Sequence, residues 1–311
     1  MIKKHFSKKL MLIFLSSCLT FCSCGTASAP KSTPVQESAS QDMETSTKTE
    51  PCSSSEKEQG TIITVPDFYS PQLNTEHNTL RIYLPPDYNK SDKSYPVVYM
   101  PDGQNLFSSS TATYGKSWLL GNLLDRLTKE EKTDGIIIVG IDSTSRRTEE
   151  YNIYLDSYSQ NCEGLANETC DFYVETVKKY IDENYRTIPD KEHTAIIGAS
   201  YGAVVSFNAT VRYPDVFGYT GMFSYCDNQD SIRMNTFLKE NMIPATLSEH
   251  YIYFFTAKYD FARQSTYSAY EIAEENGLTH ILLEEDEKGQ HDEYSWGPAF
   301  ENCLDFFGWL H

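Results

Sequence analysis

The feature that most constrains the fold is an apolar run over residues 194–205, interrupted by the pentapeptide Gly-Ala-Ser-Tyr-Gly centred on Ser200. A strand that reverses into a helix within so few residues forces a strained backbone on the residue at the turn, and its neighbours must lack bulk. Gly198 and Gly202 provide that room. The sequence therefore predicts a strand, a sharp turn and a helix, with the Ser200 hydroxyl exposed at the carboxyl edge of a sheet. Since Gly-x-Ser-x-Gly arises by chance about 0.1 times in a chain of this length, the surrounding sequence has to support this interpretation.

Apolar strands alternate with helical patterns along residues 61–311. Such alternation predicts a mostly parallel central sheet with helices on both faces. With the turn at Ser200, it indicates one domain of the α/β-hydrolase fold, in which that turn is called the nucleophile elbow. Strands are expected at 61–65, 80–84, 95–100, 135–141, 193–199, 222–225, 251–255 and 280–284, and helices at 117–127, 171–183, 201–213, 267–276 and 300–310.

The amino terminus has the pattern of a bacterial lipoprotein signal. Residues 1–9 are basic and residues 10–15 are continuously apolar, an arrangement that is too short for a membrane span and fits a secretory signal. The segment resembles a lipobox, whose last cysteine becomes lipidated, and both Cys18 and Cys24 fit that position. We expect residues 1–24 to be a lipoprotein-type signal peptide, with ordinary secretion as the alternative.

Residues 25–60 are rich in Ser, Thr, Glu, Pro and Lys and contain almost no large apolar side chains. They bury too little surface to offset the entropy of folding, and are predicted to be a disordered tether.

The formal net charge of the chain is −18. Because a polyanion would be repelled, nucleic acid and anionic membrane surfaces are not expected as partners of the folded part. The membrane is expected as a partner only through the lipid anchor.

An elbow serine needs a general base, and the α/β-hydrolase fold orders the three groups along the chain as serine, acid and histidine. His291 is the candidate base, since it lies in a loop after the last predicted strand, at the carboxyl edge of the sheet. The other histidines lie in the signal, before the serine, at the starts of strands or at the last position of the chain: His5, His77, His193, His250, His280 and His311.

The acid is expected after a strand that lies between the serine and the histidine in the chain. Asp260 follows the strand at 251–255 across a short turn, where a carboxylate could bond one imidazole nitrogen and fix the tautomer. Asp227 follows the strand at 222–225 and is the main competitor.

The oxyanion of an acyl-transfer reaction needs two backbone N–H donors. One is expected from Tyr201, the residue after the nucleophile, and one from the loop after the third strand. That loop contains Gly103, which allows a close backbone approach, and we expect the Gln104 N–H to be the second donor.

Several stretches together resemble a known family. They are 95–107, 137–142 with the Arg146-Arg147 and Glu150-Tyr151 pairs downstream, 180–186, the elbow, and 289–296. The chain resembles the esterase D-like branch of the α/β-hydrolases, which includes feruloyl and acetyl-xylan esterases of the carbohydrate esterase family 1 type, enterochelin-type esterases and S-formylglutathione hydrolases. The resemblance covers residues 61–311 with the motifs in the expected order.

The resemblance implies a serine carboxylesterase that needs no metal and no cofactor, with Ser200, His291 and Asp260 as its triad. The turn at 256–260 departs from the glycine-containing turn of many relatives. A tethered enzyme outside the cytoplasm is expected to act on acyl groups of a polysaccharide or on a phenolic ester. The alternatives are a siderophore-ester hydrolase, an acyltransferase, and a non-catalytic surface binding protein with the same fold.

Aromatic residues near the predicted edge are candidates for contacts with a sugar or a phenolic ring. Trp118 and Tyr151 are the main candidates, and ordinary packing explains such residues equally well.

Cys162 and Cys170 lie in the same region, where a disulfide and a pair of buried thiols are both consistent with the sequence. The substrate and the oligomeric state are left open by the sequence.

Overall fold

A single sheet organises the part of the chain that the computed structural model describes, which is residues 59–73, 77–155, 163–227 and 229–311. Its eight strands are ordered β1-β2-β4-β3-β5-β6-β7-β8. The strands are β1 (Thr61–Tyr69), β2 (His77–Leu84), β3 (Val97–Pro101), β4 (Ile137–Ile141), β5 (Thr194–Ala199), β6 (Tyr219–Phe223), β7 (Tyr251–Tyr259) and β8 (Ile281–Gln290).

The strands from β3 to β8 are all parallel, whereas β1 and β2 form an antiparallel pair at one edge, with β2 also antiparallel to β4. The expectation of a mostly parallel sheet is confirmed. Because carboxyl ends of parallel strands meet at one edge, the residues that follow β3, β5, β7 and β8 are brought to the same side of the molecule.

Helices cover both faces of the sheet. They are α1 (Leu120–Lys129), α2 (Arg147–Tyr151), α3 (Ala166–Asp171), α4 (Lys179–Asn184), α5 (Tyr201–Arg212), α6 (Ser231–Asn241), α7 (Pro244–Leu247), α8 (Arg263–Glu275) and α9 (Glu293–Phe306). Alternate residues of β3 point to opposite faces: Val97 and Tyr99 pack with the core under α3–α6 and α8, while Val98 and Met100 pack with the core under α1 and α9.

Several helices differ from their predicted bounds. A π-helical turn, Phe172–Lys178, joins α3 to α4, so helical backbone begins at Ala166 rather than at residue 171. The last helix begins at Glu293, seven residues before the predicted start. Its early start follows from Asp292, whose side chain accepts a hydrogen bond from the Ser295 N–H and caps the helix.

The predicted signal peptide, with Cys18 and Cys24, lies outside the described residues, as does Cys162. The tether at 25–60 is described only at its last two residues, and β1 begins at Thr61. Cys170 is a buried free thiol whose Sγ lies 3.7 Å from the Val205 carbonyl oxygen. Within the described residues, the structure contains no helix with the length and apolarity needed to cross a membrane.

Candidate active site

Ser200 occupies the sharp turn between β5 and α5. Its backbone has φ 58° and ψ −127°, a combination that costs a residue with a side chain energy of order 1–3 kcal/mol. The turn is held from the neighbouring strand, since the Ser200 N–H donates to the Phe223 carbonyl at 2.9 Å. The strained strand–turn–helix predicted from the pentapeptide is therefore present.

The two glycines of the pentapeptide have unequal roles. A Cβ on Gly198 would lie 2.3 Å from the Gly202 carbonyl oxygen and 2.7 Å from Ser206 Oγ. A Cβ on Gly202 would lie 3.1 Å from the ring of Pro101 and at an ordinary contact distance of 3.6 Å from Asp102 Oδ2. The close approach of helix to strand therefore depends mainly on Gly198.

His291 and Asp260 lie together at the carboxyl edge of the sheet. Asp260 directly follows β7 and His291 directly follows β8, and His291 Nδ1 lies 2.8 Å from Asp260 Oδ1. Asp260 Oδ1 also accepts the Ala262 N–H at 2.7 Å, which fixes the carboxylate. Asp227 makes a different contact, since it accepts a hydrogen bond from Ser265 at 2.8 Å.

The imidazole of His291 is enclosed by two aromatic rings. The Phe261 ring packs over it with ring centroids 4.0 Å apart, and the Trp296 ring meets it edge-on at 5.1 Å. Trp296 is itself positioned by a hydrogen bond of 2.7 Å from its Nε1–H to Ser224 Oγ. Phe261 is 71% exposed, so its ring also forms part of the site's outer surface.

The charge of Asp260 is set by opposing effects. Burial raises the pKa of its carboxyl, but hydrogen bonding to His291, with the Ser224 hydroxyl nearby, outweighs burial and holds that pKa below its ordinary value of 3.8. The acid is therefore ionised beside the imidazole over the neutral pH range, where it can stabilise a protonated ring.

The loop after β3 forms a tight turn beside the serine. Asp102 has a left-handed backbone, with φ 60° and ψ 43°, and precedes a 3-10 turn at Gly103–Asn105. A Cβ on Gly103 would lie 2.6 Å from the Gly140 carbonyl carbon, so only glycine allows this approach to β4. The Gln104 side chain is anchored to Ser143, whose N–H it accepts at 3.0 Å.

The left-handed turn is fixed by Arg147 and Tyr151. The guanidinium of Arg147 donates two hydrogen bonds of 2.7 Å to the Asp102 carboxylate. The Asp102 N–H donates to the Tyr151 hydroxyl at 3.0 Å. The Arg147 guanidinium also lies over the Tyr151 and Tyr201 rings, at 5.1 and 5.5 Å from their centroids. Arg147 thus contacts both segments that are predicted to supply oxyanion donors, the turn after β3 and the first residue of α5.

A cavity of about 410 Å³ opens over these groups. Ser200, His291 and Gln104 line it, whereas the ionised Asp260 stands behind the imidazole. Of the two main aromatic candidates, Trp118 lines the cavity and Tyr151 is buried beneath Arg147. The remaining lining residues are Pro101, Asp102, Asn105, Thr113, Tyr114, Lys116, Arg147, Ala199, Phe261, Asp292, Glu293 and Trp296.

Four of these lining residues have roles that the sequence did not indicate. Phe261 directly follows the predicted acid, Asp260, and Glu293 lies two residues after the predicted base, His291. Their positions in the sequence therefore indicated that both residues would lie near the site. Arg147 belongs to the Arg146-Arg147 pair that contributes to the family resemblance, but the sequence assigned no function to it. Lys116 carried no sequence signal, because its contact with Asp292 joins residues far apart in the chain.

The histidines set aside from the sequence lie elsewhere in the fold. His250 is buried and its Nε2 lies 2.9 Å from the Pro214 carbonyl oxygen, and His280 stacks on the Tyr251 ring. Both precede strands, at the amino edge of the sheet. Among the described residues, no group of three or more His, Cys, Asp or Glu side chains is placed to hold a metal ion.

Solved structures share this fold. A ferulic acid esterase matches with a TM-score of 0.63 at 19% identity, covering 80% of this chain and 97% of that one. The enterobactin esterase of Shigella flexneri matches with a TM-score of 0.61 at 15% identity, covering 79% of this chain and 59% of that one. The expected α/β-hydrolase fold is confirmed.

Sequence relatives cover a smaller part of the chain. An endo-1,4-beta-xylanase/feruloyl esterase of Xylanibacter ruminicola is 28% identical over 151 residues, which are 47% of this chain and 19% of that protein. The chain spans between 19% and 56% of the length of the curated relatives it matches.

A family model covers the site as a whole. The model described as "Putative esterase" matches residues 70–301, a range that contains Ser200, Asp260 and His291 together with the turn after β3. Because the match covers more than half of the 311 residues, the chain belongs to this esterase family.

Proposed function

We propose that the protein is an extracytoplasmic serine carboxylesterase with Ser200, His291 and Asp260 as its catalytic triad. The observation that carries the proposal is the 2.8 Å contact between His291 Nδ1 and Asp260 Oδ1, behind a cavity that His291 and Ser200 both line. An imidazole bonded at Nδ1 to a carboxylate has its Nε2 available as a base.

The chemistry follows from the three side chains. Ser200 Oγ attacks the ester carbonyl carbon while His291 Nε2 takes the hydroxyl proton, and the alcohol leaves with that proton as the acyl-enzyme forms. Water then attacks the acyl-enzyme, His291 again takes and returns a proton, and the acid leaves. Asp260 stays ionised and stabilises the imidazolium in both steps.

The oxyanion is stabilised by backbone N–H groups in this proposal. Tyr201 is the first residue of α5, so its N–H is at the positive end of a helix. Gln104 lines the cavity in the turn fixed by Arg147. Each such donor typically contributes about 3 kcal/mol to transition-state stabilisation.

Acyl groups on a polysaccharide, or a phenolic ester, are the proposed substrates. The cavity volume suits one ring-sized group, since ligand cavities start at about 300 Å³, and Trp118 and Trp296 supply flat apolar walls. The names of the xylanase/feruloyl esterase and the ferulic acid esterase support this choice. The enterobactin esterase is the reason to include a siderophore ester in the test.

The test is a substrate panel with matched serine variants. Purified protein is assayed with p-nitrophenyl acetate, methyl ferulate, acetylated xylan and a catecholate siderophore ester. Ser200→Ala is expected to lower kcat/KM by at least about 10⁴-fold, and Ser110→Ala, which changes an exposed serine, to leave it within twofold. Equal rates for Ser200→Ala and wild type, or inactivity of wild type on every ester, would contradict the proposal.

The location outside the cytoplasm is tested separately. The full chain is expressed in a bacterial host, and the intact mass of the membrane-bound protein is compared for Cys18→Ser, Cys24→Ser and the double variant. One single variant and the double variant are expected to lose the lipid mass and the membrane association. Recovery of unlipidated protein from wild-type cells would favour ordinary secretion.

A further inference from the structure

Of the charged side chains on the cavity wall, four form ion pairs with each other and one does not. The Asp102 carboxylate is paired with the Arg147 guanidinium at 2.7 Å, and the Asp292 carboxylate with the Lys116 ammonium at 2.6 Å. These four charges cancel in pairs. Glu293 is the fifth Asp, Glu, Lys or Arg residue on this wall, and it forms no ion pair with either cation of this wall.

Glu293 is a buried carboxylate, only 4% exposed. Its Oε1 accepts a hydrogen bond from Asn105 Nδ2 at 3.1 Å, which is a neutral partner. Within the described chain, no Lys, Arg or His nitrogen lies within 4.0 Å of its oxygens. Burial raises the pKa of Glu293, and the Asp292 and Asp102 carboxylates add to the rise, against a smaller lowering by the Lys116 ammonium that is paired with Asp292.

The position of Glu293 in the chain links it to the chemistry. It is the first residue of α9 and lies two residues after His291. The amino terminus of a helix favours a negative charge, so this end of α9 supports the ionised form against the cost of burial. A charge held in a partly enclosed site acts on a ligand more strongly than one in water, since water screens it less.

We propose that Glu293 makes the cavity select uncharged esters and reject esters whose acyl group carries a carboxylate. A neutral acyl group with a hydroxyl can donate a hydrogen bond to the Glu293 carboxylate, whereas an anionic group of the same size meets an uncompensated negative charge. This inference rests on the proposed esterase function and narrows its substrates to neutral acyl esters.

The kinetic test uses two esters of nearly equal shape. In p-nitrophenyl levulinate the acyl group ends in a neutral methyl ketone, and in mono-p-nitrophenyl succinate it ends in a carboxylate. At pH 7.5, wild-type protein is expected to prefer the levulinate ester by at least about 20-fold in kcat/KM. Glu293→Gln, which keeps an oxygen acceptor for Asn105, is expected to narrow that preference to within about threefold.

Two further variants serve as controls. Glu293→Asp keeps the charge and is expected to retain a preference of at least about tenfold. Glu287→Gln removes an equal charge from the surface, where the residue pairs with Lys258, and is expected to leave the preference unchanged. Thermal unfolding of each variant checks that it is folded. An unchanged preference in folded Glu293→Gln, or a wild-type preference below threefold, would overturn the proposal.

A binding measurement makes the test independent of turnover. Trp118 and Trp296 line the cavity, so their fluorescence reports the binding of a nitrophenyl ester to Ser200→Ala protein. This protein is expected to bind the levulinate ester at least about tenfold more tightly than the succinate ester, and Ser200→Ala/Glu293→Gln to bind both within threefold. Equal affinities in Ser200→Ala, or no binding of either ester, would refute charge selection whether or not the protein hydrolyses esters.

Discussion

At the scale of single residues, the two candidate acids are distinguished by their contacts. Asp260 contacts His291 Nδ1, whereas Asp227 accepts a hydrogen bond from Ser265. Asp260→Asn should lower kcat by about 10³–10⁴-fold, since an amide favours the wrong imidazole tautomer. Asp227→Asn should change kcat by less than threefold. Steady-state kinetics on p-nitrophenyl acetate measures both, and a larger loss for Asp227→Asn would reverse the assignment.

The same contact predicts how stability depends on pH. The pKa of Asp260 is lower in the folded protein than its ordinary value of 3.8, so the folded state favours the ionised acid. Its contribution to the free energy of unfolding is therefore complete above about pH 5 and is lost as the pH falls through the folded pKa. Denaturant unfolding of wild type and Asp260→Asn should show a difference that shrinks below pH 4. A difference that grows there would contradict this linkage.

Residues of the proposed triad were predictable because chain order and strand position restrict them strongly. His291 follows β8 and Asp260 follows β7, and few other residues of their types satisfy both conditions. Arg147 and Glu293 were not predictable in the same way. Their importance comes from which charges stand beside them, and contacts such as Arg147 with Asp102 join distant parts of the chain. A sequence pattern records the residue type at each position and not these pairings.

At the scale of elements, the elbow depends on how closely α5 approaches β5. Gly198→Ala should destabilise the protein by at least about 2 kcal/mol, because its Cβ would overlap the Gly202 backbone oxygen. It should also lower activity more than tenfold, since Ser200 must shift. Gly202→Ala comes closest to the Pro101 ring, at 3.1 Å, and should cost less than about 1 kcal/mol. Thermal unfolding and ester kinetics compare the pair, and equal destabilisation would contradict this account of the turn.

The bounds of elements were predicted less well than their existence. β8 runs to Gln290, six residues beyond its predicted end, through the charged stretch 284–288. This charged stretch can continue the strand because β8 is an edge strand, paired with β7 alone among the described strands, and edge strands tolerate charged side chains. The hydrophobic residues end at Leu283, although the backbone pairing with β7 continues to Gln290.

At the scale of the whole molecule, the net charge of −18 should affect encounters with polymeric substrates. An acetylated acidic polysaccharide should be hydrolysed several-fold faster at 300 mM than at 10 mM NaCl, because salt screens the repulsion between two polyanions. An acetylated neutral polysaccharide should change less than twofold. Initial rates of acetate release measure both, and the same salt response for the two polymers would exclude long-range repulsion.

The architecture was predictable from alternation, whereas the strand order was not. Alternating strands and helices with a nucleophile elbow indicated a parallel sheet covered on both faces, and the structure has it. The place of β3 between β4 and β5, and the antiparallel β1 and β2 at the edge, depend on crossovers between distant segments. Local patterns contain no information on which buried strand lies beside which.

The three proposed catalytic groups all follow β5, and His291 comes after the last strand of the sheet. A ribosome that has made the chain through Asp260 has already produced the nucleophile and the acid, yet the base and the Trp296 ring against it are still missing. Synthesis must continue through α9 before a growing chain can hydrolyse an ester. With the proposed triad, the order of elements delays activity until α9 has been made, so that a chain interrupted before β8 and α9 is inert.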